Sequence, residues 1–191
     1  MKRLLRHRLG WLLMVIGLAA GLVSEPAAAD QKDPRLDALF KRLASSDNAL
    51  DADVIEADIW RIWLSSGDAE LDGRLELGQM AMAVGDLDTA IAHFTQVIER
   101  APGFAEGWNK RATAYYLRGD LDASMADVRQ TLALEPRHFG AISGIGLIFL
   151  NTDDPRAALD AFERVLTIHP FAAGAREQVE RLRRVLRGLT V

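Results

Sequence analysis

From Leu71 onward the apolar positions of this chain fall into short stripes with helical spacing, and the stripes recur. In residues 105–138, Trp108, Ala112 and Tyr115 lie four and three apart, one face of a helix. Gly119 follows, free to take the left-handed conformation that closes a helix, and Asp120 offers a side-chain acceptor to the open N–H groups of a second one. Leu121, Ser124, Met125, Val128, Leu132 and Ala133 form the apolar face of that second helix. Pro136 stops it, having no N–H to donate and no room against the preceding turn.

The blocks on either side repeat this grammar. Residues 71–104 carry Gly85-Asp86 at the turn and Pro102 at the end. Residues 139–172 put Asp153 at the glycine position, Asp154 at the cap, Pro155 in the first helical turn and Pro170 at the end. Small residues recur at Gly78, Ala112 and Gly146 and again at Ala90, Ser124 and Ala158, where paired helices should cross closely. Phe94 and Phe162 recur as well, with Val128 between them. A fixed period of thirty-four residues built from helix pairs predicts an all-α solenoid, with each pair burying its apolar side on the next.

The flanks differ. Residues 34–70 show a worn version of the pattern: Phe40 and Leu43 in a first helix, then Val54, Ile55, Ile59, Ile62 and Trp63 in a second, with Trp60 alongside and Asp51 as its expected cap. Asp47 and Glu56 stand where later blocks are apolar, so the segment reads as a degenerate N-terminal capping pair. Residues 173–191 give a C-terminal capping helix with Ala175, Val179, Leu182, Leu186 and Leu189 on one side. Arg176, Arg181, Arg183, Arg184 and Arg187 crowd its other sides, as a solvated end or as a docking surface for an anionic partner or membrane.

These residues resemble the tetratricopeptide repeat, whose pattern is Trp-x2-Leu-Gly-x2-Tyr, then Ala-x3-Phe, then Pro. Trp108, Ala112, Tyr115, Ser124 and Pro136 fit it in the middle block. Leu77-Gly78, Ala90, Phe94 and Pro102 fit it in the first, and Ile145-Gly146, Phe149, Ala158, Phe162 and Pro170 in the third. Arg74 and Arg111 depart from it and are expected to lay their stems on the core with their charges in water. The resemblance implies a right-handed α-solenoid with a concave face for binding a partner peptide or helix. Carried over, that face comprises Asp72, Leu75, Gln79, Met82 and Ala83, then Glu106, Asn109, Thr113, Tyr116 and Leu117, then Gly140, Ser143, Leu147, Leu150 and Asn151. One branch of the family grips a C-terminal carboxylate with basic residues, but here those positions hold Leu75, Gln79, Lys110, Gly140 and Gly144. The mixed apolar and amide face that remains suits a peptide held by apolar anchors. Gly140 and Gly144, each costing a helix roughly 0.5–1 kcal/mol against alanine, imply that a partner or the chain's own terminal helix comes close to that backbone.

Composition changes this picture in three ways. Lys2, Arg3, Arg6 and Arg8, the apolar run Leu9–Val23 and Ala27-Ala28-Ala29 read as an export signal over residues 1–29 and point to the periplasm; retained uncleaved, the segment would be an anchor. Without it 19 basic and 26 acidic residues remain, a net charge of −7, which argues against nucleic acid as ligand. There is no cysteine, and His93, His138, His169 and Asp153-Asp154 form no metal-spacing motif, so no metal, cofactor or catalytic residue is expected. The sequence therefore points to a non-enzymatic scaffold or adaptor, monomeric or weakly self-associating. A self-associating structural subunit of an envelope complex and an accessory factor to a cell-wall enzyme are the alternatives.

Overall fold

The computed structural model describes residues 32–188, so the expected export signal and residues 189–191 lie outside the described residues. Among the described residues there are nine α-helices and no strand: α1 Arg35–Ala44, α2 Ala49–Trp63, α3 Ala69–Ala83, α4 Leu87–Arg100, α5 Ala105–Arg118, α6 Leu121–Leu134, α7 Phe139–Asn151, α8 Pro155–Ile168 and α9 Ala173–Gly188. None of them is long and apolar enough to cross a membrane.

The turns inside the three repeats follow the sequence logic. Gly85 and Gly119 take positive φ (81° and 87°), and Asp153 takes the same left-handed conformation at φ 58°. Asp86, Asp120 and Asp154 then accept from the backbone N–H groups of Thr89, Ala123 and Ala157. In the N-terminal pair the cap is not Asp51 but Asn48, whose side chain accepts from the N–H of Asp51. The cap lies three residues before the expected one because either short polar side chain serves, and Asn48 is the one held in an extended conformation.

The repeat core depends on matched volumes where paired helices cross. A Cβ at Gly78 would sit 2.4 Å from the Phe94 ring, and one at Gly146 2.7 Å from the Phe162 ring. Each aromatic therefore lies directly on a helix backbone. The middle repeat keeps the same spacing with an exchange: Ala112 replaces glycine and the smaller Val128 replaces phenylalanine, both buried in one cluster. Ser124 stays buried by donating to the Ala112 carbonyl at 2.8 Å. Ala90 and Ala158, fully buried, hold the corresponding places in the other two repeats.

Trp108 and Tyr115, expected as core packing residues, are only half-buried. Trp108 donates its indole N–H to the Pro102 carbonyl at 2.9 Å, and the Arg111 guanidinium lies 5.1 Å from its ring centre. Arg118 covers Tyr115 in the same way, at 5.1 Å. Arg111 does not leave its charge in water either: it donates to both oxygens of the buried Asp127 carboxylate (2.7 and 2.9 Å) and to Thr95. An ion pair thus substitutes for the leucine of the family pattern, and the aromatics stack on its cation.

The largest difference concerns the N-terminal pair. As a capping repeat it would lie on the outer side of α3. That side is open instead, with Leu77 50%, Met80 57% and Val84 82% exposed. α1 and α2 pack on the far half of the solenoid: Leu36, Phe40, Leu43, Ile55, Ile59 and Trp63 share one core with Phe139, Ile142, Phe162, Val165, Ala175 and Val179. The reason lies in the aromatic and charged residues of α2, which find partners in Lys110 of α5, in His138 and Phe139 at the start of α7 and in His169 at the end of α8. The terminal helix α9 packs on α8 through Ala175, Val179 and Leu182, with its arginines outward.

Candidate functional site

The inner helices α3, α5 and α7 carry the residues expected to face a partner, and the N-terminal pair divides that face in two. Near the helix starts the face is filled. Trp63 stacks on the His138 ring at 4.1 Å and 8°, and Trp60 stands edge-on to His138 and Phe139. The Trp60 ring lies where a Cβ on Gly140 would come within 3.0 Å, so the chain itself makes the close approach that this glycine implied. Gly144 has no such neighbour: its added Cβ would meet only Val128, at an ordinary 3.7 Å. Arg137 ties α1 to the turn before α7, donating to Asp37 at 2.7 Å while its guanidinium lies 4.3 Å from the Phe40 ring centre.

Two histidine–glutamate pairs brace this filled half. His138 occupies the place that Phe104 holds one repeat earlier and uses its ring to do more. Its Nδ1 accepts from the Ala141 N–H at 3.1 Å, capping α7, and its Nε2 lies 2.9 Å from the Glu106 carboxylate. Both side chains are fully buried. Burial pushes the Glu106 carboxyl up, but the hydrogen bond with His138 and the ammonium of Lys110 at 3.1 Å outweigh it and hold the group below its ordinary value. His169 meets Glu56 of α2 at 2.9 Å. That hydrogen bond, opposed by burial and reinforced by the Trp60 indole N–H, holds the Glu56 carboxyl low as well. Both acids therefore serve as carboxylates fixing structure. Among the described residues no group of histidines and acids is placed to hold a metal ion.

Of the expected groove residues, Leu75 is buried in the core of the first repeat and Asn109 is buried beneath a bond from its side-chain N–H to Glu106 at 3.0 Å. Gly140 lies under Trp60, and Ser143 turns its hydroxyl back to the Phe139 carbonyl at 2.9 Å. Nearer the helix ends the face is open. Thr113, Leu147 and Asn151 are exposed, and Gln79, Met82 and Tyr116 partly so. Asn151 donates to the Tyr116 hydroxyl at 2.7 Å, joining neighbouring repeats across the floor. A cleft of about 110 Å³ runs between α5 and α7 past Thr113, Tyr116, Val128, Gly144 and Leu147. The division into a filled and an open half was not visible in the repeat pattern, which assigns all these positions alike. The one signal was Gly140 itself.

A family model described as "Tetratricopeptide repeat" matches residues 75–138. A TPR repeat-containing protein of Rhizobium etli is 34% identical over 167 residues, 87% of this chain and 82% of the relative. The chain belongs to the tetratricopeptide repeat family. The small glutamine-rich tetratricopeptide repeat-containing protein 2 of Saccharomyces cerevisiae is 28% identical over 131 residues, 66% of this chain but 36% of that protein. Among solved structures, the Sgt2 TPR domain from Aspergillus fumigatus superposes with a TM-score of 0.60 at 23% identity, covering 64% of this chain and 83% of that one. The first TPR of Spaghetti (RPAP3), bound to the HSP90 peptide SRMEEVD, gives 0.58 at 22% identity, covering 63% and 96%. These likenesses establish the TPR fold.

Proposed function

We propose that this TPR protein is a non-enzymatic adaptor that holds a segment of another protein along the open halves of α3, α5 and α7. The carrying observation is the contrast within one face: positions near the helix starts are filled by the chain's own tryptophans, while Met82, Thr113, Tyr116, Leu147 and Asn151 stay accessible. Such a floor combines apolar anchors with a few hydrogen-bonding groups, the composition that peptide-binding faces use. Spaghetti, a fold neighbour, is bound to an HSP90 peptide, which supports a peptide as the ligand class here. The basic clamp of the carboxylate-gripping branch is absent, since its positions hold Leu75, Gln79, Gly140 and Gly144, and Lys110 is engaged by Glu106. The basic start, apolar run and small residues of 1–29, read as an export signal, support a periplasmic location.

Crosslinking capture from the periplasmic fraction tests this, comparing the native chain with Leu147→Asp, which places a charge on the floor without touching the core. The expected result is loss of the captured partner with unchanged helical circular dichroism. Undiminished capture would remove the groove from the function.

A separate observation favours a second reading, self-association through the end of the stack: Leu77, Met80 and Val84 form one exposed apolar stripe on α3. Sedimentation across concentration distinguishes it, because Met80→Glu would dissolve such an oligomer and leave a groove-bound partner in place.

A further inference from the structure

We propose that the segment received by this groove is cationic and amphipathic, with its apolar side on Met82, Tyr116 and Leu147 and its lysines or arginines toward the turns that join inner to outer helices. The proposal rests on the groove reading above and adds the chemistry of the ligand.

Each open half-helix runs straight into one of these turns. Residues 79–88, 113–122 and 147–156 contain six acidic side chains, Asp86, Asp88, Asp120, Asp122, Asp153 and Asp154, against two basic ones, Arg118 and Arg156. Asp86, Asp120 and Asp154 each have an oxygen committed to capping. Asp88, Asp122 and Asp153 lie one or two residues away, all exposed. Arg118 joins the first two turns, donating to Asp88 of the first at 2.8 Å and to Asp120 of the second at 3.2 Å. Leu117, 53% exposed, stands at the junction of floor and rim.

The rest of the face adds no positive charge that a ligand could reach. Lys110 lies on the filled half, 3.1 Å from Glu106 and 5.6 Å from the Trp60 ring centre. α7 supplies glycine, serine, leucine and asparagine and no charged residue. A ligand on this floor therefore meets an edge on which acidic side chains outnumber basic ones, six to two. An acidic peptide would be set beside like charges, which discriminates against it, while a basic one gains in encounter rate and register.

The test uses the purified chain and three fluorescent peptides of about 14 residues: an amphipathic Leu/Lys helix, its Leu/Glu counterpart, and a Gly/Lys peptide matching the charge of the first. Anisotropy is expected to show the Leu/Lys peptide binding at least about tenfold more tightly than either other. The triple variant Asp88→Asn, Asp122→Asn, Asp153→Asn, which leaves the three caps in place, should weaken it about tenfold, and Arg118→Gln should tighten it by about twofold to fivefold. A merely structural Arg118 would not act in that direction. Equal binding of the Leu/Glu or Gly/Lys peptide, no binding of the Leu/Lys peptide, or indifference to the aspartate substitutions would overturn the proposal. If Tyr116→Ala and Leu147→Ala still abolish binding while the aspartate variant does not, the groove stands and the cationic ligand falls. If neither apolar substitution matters, the groove reading falls with it. Concentration-dependent dimerisation lost on the aspartate substitutions and on Arg184→Gln would make the occupant α9 of a second copy and overturn the assignment to a partner.

Discussion

Replacing Trp63 with alanine probes the contact that distinguishes this chain from a plain stack of repeats. Trp63 is buried to 2% exposure; its ring stacks on His138 and lies 5.8, 5.3 and 5.0 Å from the ring centres of Phe40, Trp60 and Phe139. Truncating a buried tryptophan costs about 3–5 kcal/mol from lost transfer energy and the cavity left behind. The stack on His138 also ends, which places the expectation near the top of that range. With a urea m-value of roughly 2 kcal/mol per molar, about 4 kcal/mol moves the unfolding midpoint by about 2 M. Trp63→Phe should cost far less, about 1–1.5 kcal/mol, because it keeps an aromatic stack and removes an indole N–H that finds no acceptor among the described residues. Trp108→Ala is the control: this half-buried residue carries the family's signature tryptophan, yet its loss should cost about 1–2 kcal/mol, below a full-burial value. Urea titrations of the three variants measure the order. If Trp108→Ala proves more damaging than Trp63→Ala, the N-terminal pair is not docked on the inner face.

Three further outcomes follow from the packing and the charges. Gly146→Ala forces a methyl against the Phe162 ring and should destabilise by about 1–3 kcal/mol, whereas adding Phe162→Val recreates the Ala112/Val128 arrangement and should return part of that loss; a double-mutant cycle in thermal unfolding reads the coupling. Asp153→Gly removes a non-glycine residue from φ 58° and should raise stability by about 0.5–1 kcal/mol, measured by the midpoint in urea. Glu106 and Glu56 are held below the ordinary carboxylate value of 4.5. The unfolded chain therefore binds their protons first as pH falls, so their stabilisation is present above about pH 4.5 and is lost as pH drops through the folded values. Melting temperatures from pH 6 to 3 should fall less steeply in Glu106→Gln than in the native chain, with a smaller effect for Glu56→Gln, whose side chain is a third exposed.

Much of the fold was legible because it is local. Caps, left-handed turns and stops lie within a few residues of the helices they punctuate, so Asp120, Gly119 and Pro136 announce them in sequence. The crossings were legible too, because Gly78 and Gly146 leave space that only a close helix explains. Position in the groove was not. Glu106 meets His138 across 32 residues and Glu56 meets His169 across 113, separations that carry no periodic signal. The docking of α1–α2 depends on those pairs and on tryptophans whose spacing fits a capping repeat equally well. Gly140 hinted at a close neighbour, and only the fold identifies it as Trp60. Arg111 misled in the other direction: a cation at a core position looked solvated, while its partner Asp127 sits sixteen residues away, buried on the next helix.

On the proposed reading a partner segment lies on the open half of the inner face, alongside rather than in place of the N-terminal pair. Site-specific photocrosslinking tests it most directly, with benzoylphenylalanine placed at Thr113 or Leu147 on the open half and at Arg129 on the outer, exposed side of α6. Adducts with the same partner from 113 and 147, and none from 129, are the expected result. Adducts from 129 alone would contradict the account.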